Sequence, residues 1–189
     1  MDTSIERARF NMIQQQIRPW NVADDQVLSV MAEIPRERFV PDAYRSLAFA
    51  DIEIPIGDGQ TMLAPKVVAR MLQALDVHAI DKILEIGTGS GYPTACLSRL
   101  GGRILSVEIH APLAEQAREA LEALKLGRLE VRVGDGLAGP VDGQPFDVIA
   151  LTGSLPNDEA LAGLQEQLAP GGRLFAIVGE EPVMEALLV

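Results

Sequence analysis

The stretch Lys82-Ile83-Leu84-Glu85-Ile86-Gly87-Thr88-Gly89-Ser90-Gly91-Tyr92 decides the fold. Its first five residues form a short, nearly continuous apolar run, the pattern of a strand covered on both faces. Glycines at 87, 89 and 91 let the backbone turn tightly and approach a ligand closely. A helix is expected next, with its free N–H groups opening onto the same turn. Further runs of the strand type occupy residues 103–108, 129–133, 146–151 and 173–178. Between them, Pro112 suits a first helical turn, Leu113, Ala117, Leu121 and Leu124 share one face, and Gly127 closes that helix. A second helix is predicted over 158–168, broken by Pro170-Gly171-Gly172. Alternating strands and helices predict an α/β fold with a doubly wound, mainly parallel sheet.

Upstream of that repeat the chain reads differently. Amphipathic patterns lie near residues 4–18 and 24–33, Pro35 and Pro41 act as breaks, and a helix begins at Pro65 with Val67, Val68, Met71, Leu72 and Leu75 on its apolar side. Residues 54–61 read as a surface turn. The expected organisation is an N-terminal helical extension over 1–80 and a ligand-binding α/β core over 81–189, within one compact domain.

Composition removes several function classes. The 189 residues carry 16 Lys+Arg against 27 Asp+Glu, a formal net charge of −11, and the positive residues form no stripe. Nucleic acid and anionic membranes are therefore not expected partners. The chain start lacks the basic and apolar regions of a secretory signal, and no apolar stretch nears the roughly 18 residues of a membrane span. Cys96 is alone, which excludes an internal disulfide, and one cysteine with two histidines does not make a zinc site, so no metal is expected. A cytoplasmic protein is the simplest expectation.

The glycine turn carries the chemistry. The spacing of its glycines is G-x-G-x-G, whereas a dinucleotide site uses G-x-G-x-x-G. Glu85 beside the turn would repel a pyrophosphate and suits a ligand with a cationic amino group or sulfonium. Glu108 ends the second strand of the repeat, where an acid accepts hydrogen bonds from ribose hydroxyls. After the third strand comes Gly134-Asp135-Gly136, whose Asp135 suits an adenine amino group. Acids at the carboxyl edges of successive strands mark a ligand site of an open α/β sheet, and S-adenosylmethionine carries the required groups.

With these motifs the chain resembles class I S-adenosylmethionine-dependent methyltransferases of Rossmann-like fold, and more narrowly the protein-L-isoaspartate O-methyltransferase family. Residues 84–92 follow that family's glycine motif. Arg38-Phe39-Val40-Pro41, Ile54-Pro55-Ile56-Gly57 and Gly59-Gln60-Thr61 resemble its N-terminal signatures, and Gly134-Asp135-Gly136, Pro145-Phe146-Asp147 and Leu168-Ala169-Pro170-Gly171-Gly172 its later ones. The resemblance implies methylation of isoaspartyl carboxylates in damaged proteins. It assigns cofactor binding to Glu85, Gly87, Thr88, Gly89, Ser90, Gly91, Glu108, Ile109, Asp135, Gly136 and Thr152, and the acceptor side to Thr61 and Leu63. The family's serine and glutamine positions hold Leu63 and Ala64 here, its Thr-Ala-Ala segment reads Thr152-Gly153-Ser154, and Pro93 stands where a polar residue is common. Leu63 opens two alternatives: a different acceptor, or a non-catalytic cofactor-binding homologue. Under the isoaspartyl reading, Thr61 or Ser154 stands in for the serine.

Other residues have plainer expectations. His78 falls in a helix-to-strand connection away from the site, and His110 lines the adenosine pocket or sits on a helix surface. Cys96 is read as a buried small apolar residue, Trp20 as packing the N-terminal helices, and Glu115, Arg118, Glu119 and Glu122 as a solvated face. Only ten residues follow Gly179, which would leave the strand at 173–178 as an apolar edge. Two coverings are expected for it: a second copy in a homodimer, or chain beyond this sequence.

Overall fold

The computed structural model describes residues 3–180 and 183–189; Met1, Asp2, Glu181 and Pro182 lie outside the described residues. β3 (Lys82–Ile86) sits in the middle of a six-stranded sheet of order β5-β4-β3-β6-β7-β8, with β4 at Arg103–Glu108, β5 at Leu129–Val133, β6 at Phe146–Leu155, β7 at Leu168–Glu180 and β8 at Val183–Leu188. All neighbours pair in parallel except β7 and β8. The order reverses beside β3, so the crevice at its carboxyl end is the place where such sheets bind ligands.

Two apolar layers enclose the sheet. On one face Ile83, Ile104, Val148 and Phe175 pack with helices α2 (Asp25–Glu33), α3 (Pro65–Leu75), α4 (Tyr92–Leu100) and α5 (Ala111–Glu122). On the other, Leu84, Ile86, Leu105 and Ile149 meet the short α6 (Leu161–Gln165). Arg173 fastens α3 to the sheet: its Nε donates to the Leu75 carbonyl at 2.8 Å, and Nη2 to the Asp76 carbonyl and the nearly buried Asp81 carboxylate.

At the N-terminus α1 (Thr3–Met12) runs into a π turn over Ile13–Ile17 and a 3₁₀ turn over Arg18–Trp20, so the single helix expected over 4–18 is a composite. Asp24 caps α2 by accepting from the Gln26 and Val27 amides at 2.8 and 2.9 Å. Asp24→Ala should cost about 1 kcal/mol, read as a lower urea midpoint with an unchanged slope.

Four expectations are corrected. Residues 54–61 are not a simple surface turn, because Ile54–Gly57 (β1) and Gln60–Met62 (β2) pair antiparallel, with Ile54, Ile56 and Met62 buried beneath. The helix predicted over 158–168 shrinks to α6; Leu168 already pairs with Phe146, and a bulge absorbs Pro170-Gly171-Gly172. Trp20 does not pack the N-terminal helices: it is 53% exposed, with the Lys66 ammonium 4.2 Å from its ring centre. The strand at 173–178 is no bare edge, because β8 pairs along it from Phe175↔Leu188 to Glu180↔Val183. The homodimer contact invoked to shield that strand loses its reason.

Candidate active site

The backbone at Ile86 leaves β3 into a turn that Gly87 enters at φ +97°, the left-handed region that favours glycine. The space is as restrictive as the dihedral. A Cβ on Gly87 would lie 2.9 Å from the Gly153 amide nitrogen and 3.1 Å from Thr152 Oγ1. Thr152, near the end of β6, donates its hydroxyl to the Ile86 and Gly87 carbonyls. The two strand ends are thereby clamped together, and they form the floor of an open cleft.

The cleft wall is built from the carboxyl ends of β4 and β5. Glu108 is 3% exposed; its Oε2 accepts from the Gly89 amide at 2.8 Å and its Oε1 from the His110 amide at 3.0 Å. These bonds fix the carboxylate while leaving it lone pairs on the cleft side. Asp135 Oδ1 accepts from the Leu137 amide at 2.9 Å, a local turn that leaves Oδ2 without a protein donor in this bond. Ile109 and Leu137 line the cleft with 61% and 41% exposure. Such open apolar side chains beside fixed acceptors suit a flat base with hydroxyl and amino donors. The third side is the β1–β2 hairpin, which brings Ile56, Gln60 and Thr61 to the cleft that Ser154 also lines. The lining contains Glu108 and Asp135 and neither lysine nor arginine.

The structure brings together Thr61, Gly87, Gly89, Glu108, Ile109, Asp135, Gly136 and Thr152. Leu63, Glu85, Thr88, Ser90 and Gly91 do not line the cleft. Leu63 packs against the core, and its carbonyl accepts from Arg36. Ser90 Oγ accepts from the Tyr92 amide, and Gly91 packs against Ala117 and Leu121 of α5. Thr88 Oγ1 bonds Ser106 Oγ under the turn.

Glu85 differs most from its expected role. It points away from the cleft into the layer under α4 and is fully buried. Its Oε2 accepts from the hydroxyls of Thr94 and Ser106, while Oε1 has no partner. Burial raises its pKa from 4.5 to about 8; the two hydroxyls oppose that shift, and Glu108 adds to it. It is a neutral carboxyl at pH 7, supporting the turn from beneath, and not an anion facing a cationic ligand.

Several lining residues are silent or ambiguous in the sequence. Gln60 and Ile56 reach the site only because residues 54–62 pair as a hairpin, and Leu137 carries no signal beyond following Asp135 by two. His110 is settled on the pocket side, whereas His78 lies at the far end of β3, beside Asp81 and Arg173. Cys96 is buried, which pushes its thiol up to about 12. Among the described residues no group of three His, Cys, Asp or Glu is placed to hold a metal, and no helix is long and apolar enough to cross a membrane.

Comparison with known proteins fits this geometry. The family model of protein-L-isoaspartate(D-aspartate) O-methyltransferases matches residues 7–187. Protein-L-isoaspartate O-methyltransferase 1 of Rhodopseudomonas palustris is 40% identical over 98% of this chain and 75% of its own length. The enzyme of that name from Koribacter versatilis is 44% identical over 98% of this chain and 82% of its own. A solved structure with the same name superposes with a TM-score of 0.80 at 26% identity, over 97% of this chain and 58% of that one. A Plasmodium falciparum structure, in complex with S-adenosyl-L-homocysteine, shares the fold with a TM-score of 0.76 at 19% identity, over 97% and 88% of the two chains.

Proposed function

Because the chain belongs to the protein-L-isoaspartate(D-aspartate) O-methyltransferase family, we infer that it methylates isoaspartyl carboxylates of proteins, with S-adenosylmethionine as methyl donor. The observation that carries the reading is the cleft in which Gly87, Gly89, Glu108 and Asp135 face Gln60, Thr61 and Ser154. Bound there, S-adenosylmethionine supplies an activated methyl on a positively charged sulfur. Glu108 is the acceptor for ribose hydroxyls, Asp135 for the adenine amino group, and Ile109 and Leu137 cover the base. Gly87, Gly89, Gly136 and Thr152 shape the floor, while Glu85, Thr88, Ser90 and Gly91 act indirectly by holding the turn. Residues 81–189 form the cofactor side and residues 1–80 the acceptor side.

A carboxylate acceptor needs no general base, since the ordinary carboxyl pKa of about 4 leaves it ionised at neutral pH. The task of the protein is to hold one oxygen in line and exclude water. Neutral donors must do the holding, because no cation lines the cleft. Thr61 is the candidate: its Oγ1 donates to Glu53 Oε2 at 3.0 Å, and that proton can be redirected to an incoming carboxylate. Leu63 takes no direct part, because its side chain faces the core. The partner is thus a protein or peptide carrying isoaspartate, and the acidic surface argues against nucleic acid and anionic membrane; a cytoplasmic setting accords with this.

Transfer of labelled methyl to an isoaspartyl peptide, against its aspartyl twin, tests the reading. The natural chain should label the isoaspartyl peptide selectively. Thr61→Val should lower that rate roughly 10- to 150-fold, the value of one hydrogen bond to a charged group, while S-adenosylhomocysteine binding persists. A second reading, a different acceptor, is favoured by the Glu53 carboxylate that holds Thr61. It would follow if both peptides stayed unlabelled while S-adenosylhomocysteine still bound.

A further inference from the structure

Arg36 is completely buried, yet among the described residues no carboxylate lies within ion-pair distance of it. Its Nε donates to the Ala48 carbonyl at 2.9 Å and its Nη2 to the Leu63 carbonyl at 2.8 Å. The guanidinium lies over the Tyr92 ring, 4.9 Å from its centre, and Nη1 has no partner. Burial pulls its pKa below the ordinary guanidinium value. A buried charge without a paired carboxylate keeps most of its desolvation cost, so the net stability of this arrangement is a weak reason for it. What a planar cation with separated donors supplies is geometry.

The three contacts show which geometry. Leu63 directly follows β2 and stands two residues after Thr61. Tyr92 directly follows Gly91 and opens α4. A hairpin of strands four and three residues long is marginal without packing or anchors. Apolar contacts at Ile54, Ile56 and Met62 hold its underside, but among the described residues only the Leu63 carbonyl is held by a side chain that also lies over the first residue of the glycine-turn helix.

We propose that Arg36 is a positioning residue for methyl transfer: through the Leu63 carbonyl and the Tyr92 ring it sets the hairpin bearing Gln60 and Thr61 against the glycine turn. The inference rests on the acceptor side assigned above. It also explains how a loop with leucine at the serine position keeps a defined backbone.

Arg36→Met and Arg36→Lys test it by hydrogen exchange and by kinetics on the isoaspartyl peptide. In Arg36→Met, amides 60–64 should exchange about tenfold faster or more, while those of β3 and β4 keep their protection. Its kcat should fall roughly 30-fold, as expected for a misplacement of up to an ångström. S-adenosylhomocysteine affinity should stay within about twofold, since the cofactor wall does not rest on this contact. Arg36→Lys keeps the charge and one donor direction, and should lie between the two. Unchanged exchange over 60–64, or a loss confined to S-adenosylhomocysteine affinity, overturns the proposal. If Arg36→Met does not fold, Arg36→Lys decides by the same two readings. If the natural chain labels no peptide, the acceptor reading fails, and exchange over 60–64 alone decides for or against Arg36.

Discussion

Gly87→Ala should abolish measurable S-adenosylhomocysteine binding, a loss of about 100-fold or more, and destabilise the fold by roughly 2–6 kcal/mol. Two costs combine. The backbone at φ +97° is strained by any Cβ, at about 1–3 kcal/mol. The Cβ would also lie 2.9 Å from the Gly153 amide nitrogen, a backbone atom that cannot swing aside as a side chain end would. Relief requires Thr152 and Gly153 to retreat, which releases the bonds from Thr152 Oγ1 to the Ile86 and Gly87 carbonyls and opens the cleft floor. Overpacking of this kind costs about 1–3 kcal/mol further. Gly163→Ala on α6, where a Cβ meets nothing within 4 Å, should leave binding unchanged and stabilise the fold by up to about 1 kcal/mol. Calorimetric titration and urea unfolding of the two variants make the comparison. Binding by Gly87→Ala at the natural affinity would refute the floor assigned to these strand ends.

Glu85 should give the fold a stability that declines as pH rises. Its folded pKa of about 8 stands above the value of 4.5 for a free side chain, primarily because of burial. Below pH 4.5 both states hold the proton, and the contribution is fully present. Between 4.5 and 8 the unfolded chain releases the proton while the folded chain keeps it. Stability then falls by about 1.4 kcal/mol per pH unit, on the order of several kcal/mol in all. Above 8 both states are ionised and the loss is complete. Glu85→Gln cannot ionise, and its amide oxygen can accept from Thr94 and Ser106 as the carboxyl does. The stability of Glu85→Gln relative to the natural chain should therefore climb from about pH 5 to about pH 8 and level off beyond. Denaturant unfolding at three pH values measures this, and parallel curves would show that Glu85 ionises freely in the fold.

Those two residues also mark how far the sequence can be read. Gly87 is legible, because a strand followed by G-x-G-x-G leaves few backbone paths. The same holds for the five parallel strands, whose apolar runs need two covered faces. Glu85 is easily misread, because its position beside the turn gives no sign of which face it occupies. Alternation along β3 settles that only when the buried partners are known, and Thr94 and Ser106 come from separate elements. The hairpin at 54–62 is hidden for a related reason: glycine and proline punctuate it, and its pairing is visible only once Ile54, Ile56 and Met62 have a core to enter. β8 escapes notice because Val183–Leu188 is a strand solely through its pairing with β7. Local pattern thus identifies what is locally determined, whereas contacts distant in sequence decide the rest.

The absence of lysine and arginine from the cleft lining bears on how fast the protein can turn over. Methyl transfer converts a sulfonium into an uncharged thioether, so the spent cofactor leaves with one positive charge fewer than it brought. On the proposed reading, Glu108 and Asp135 attract the charged form over the neutral one, an advantage that salt diminishes at the open mouth of the cleft. Product escape would thereby be favoured by the acids proposed to recruit the donor. A cleft lined with cations would invert that preference and hold its own product.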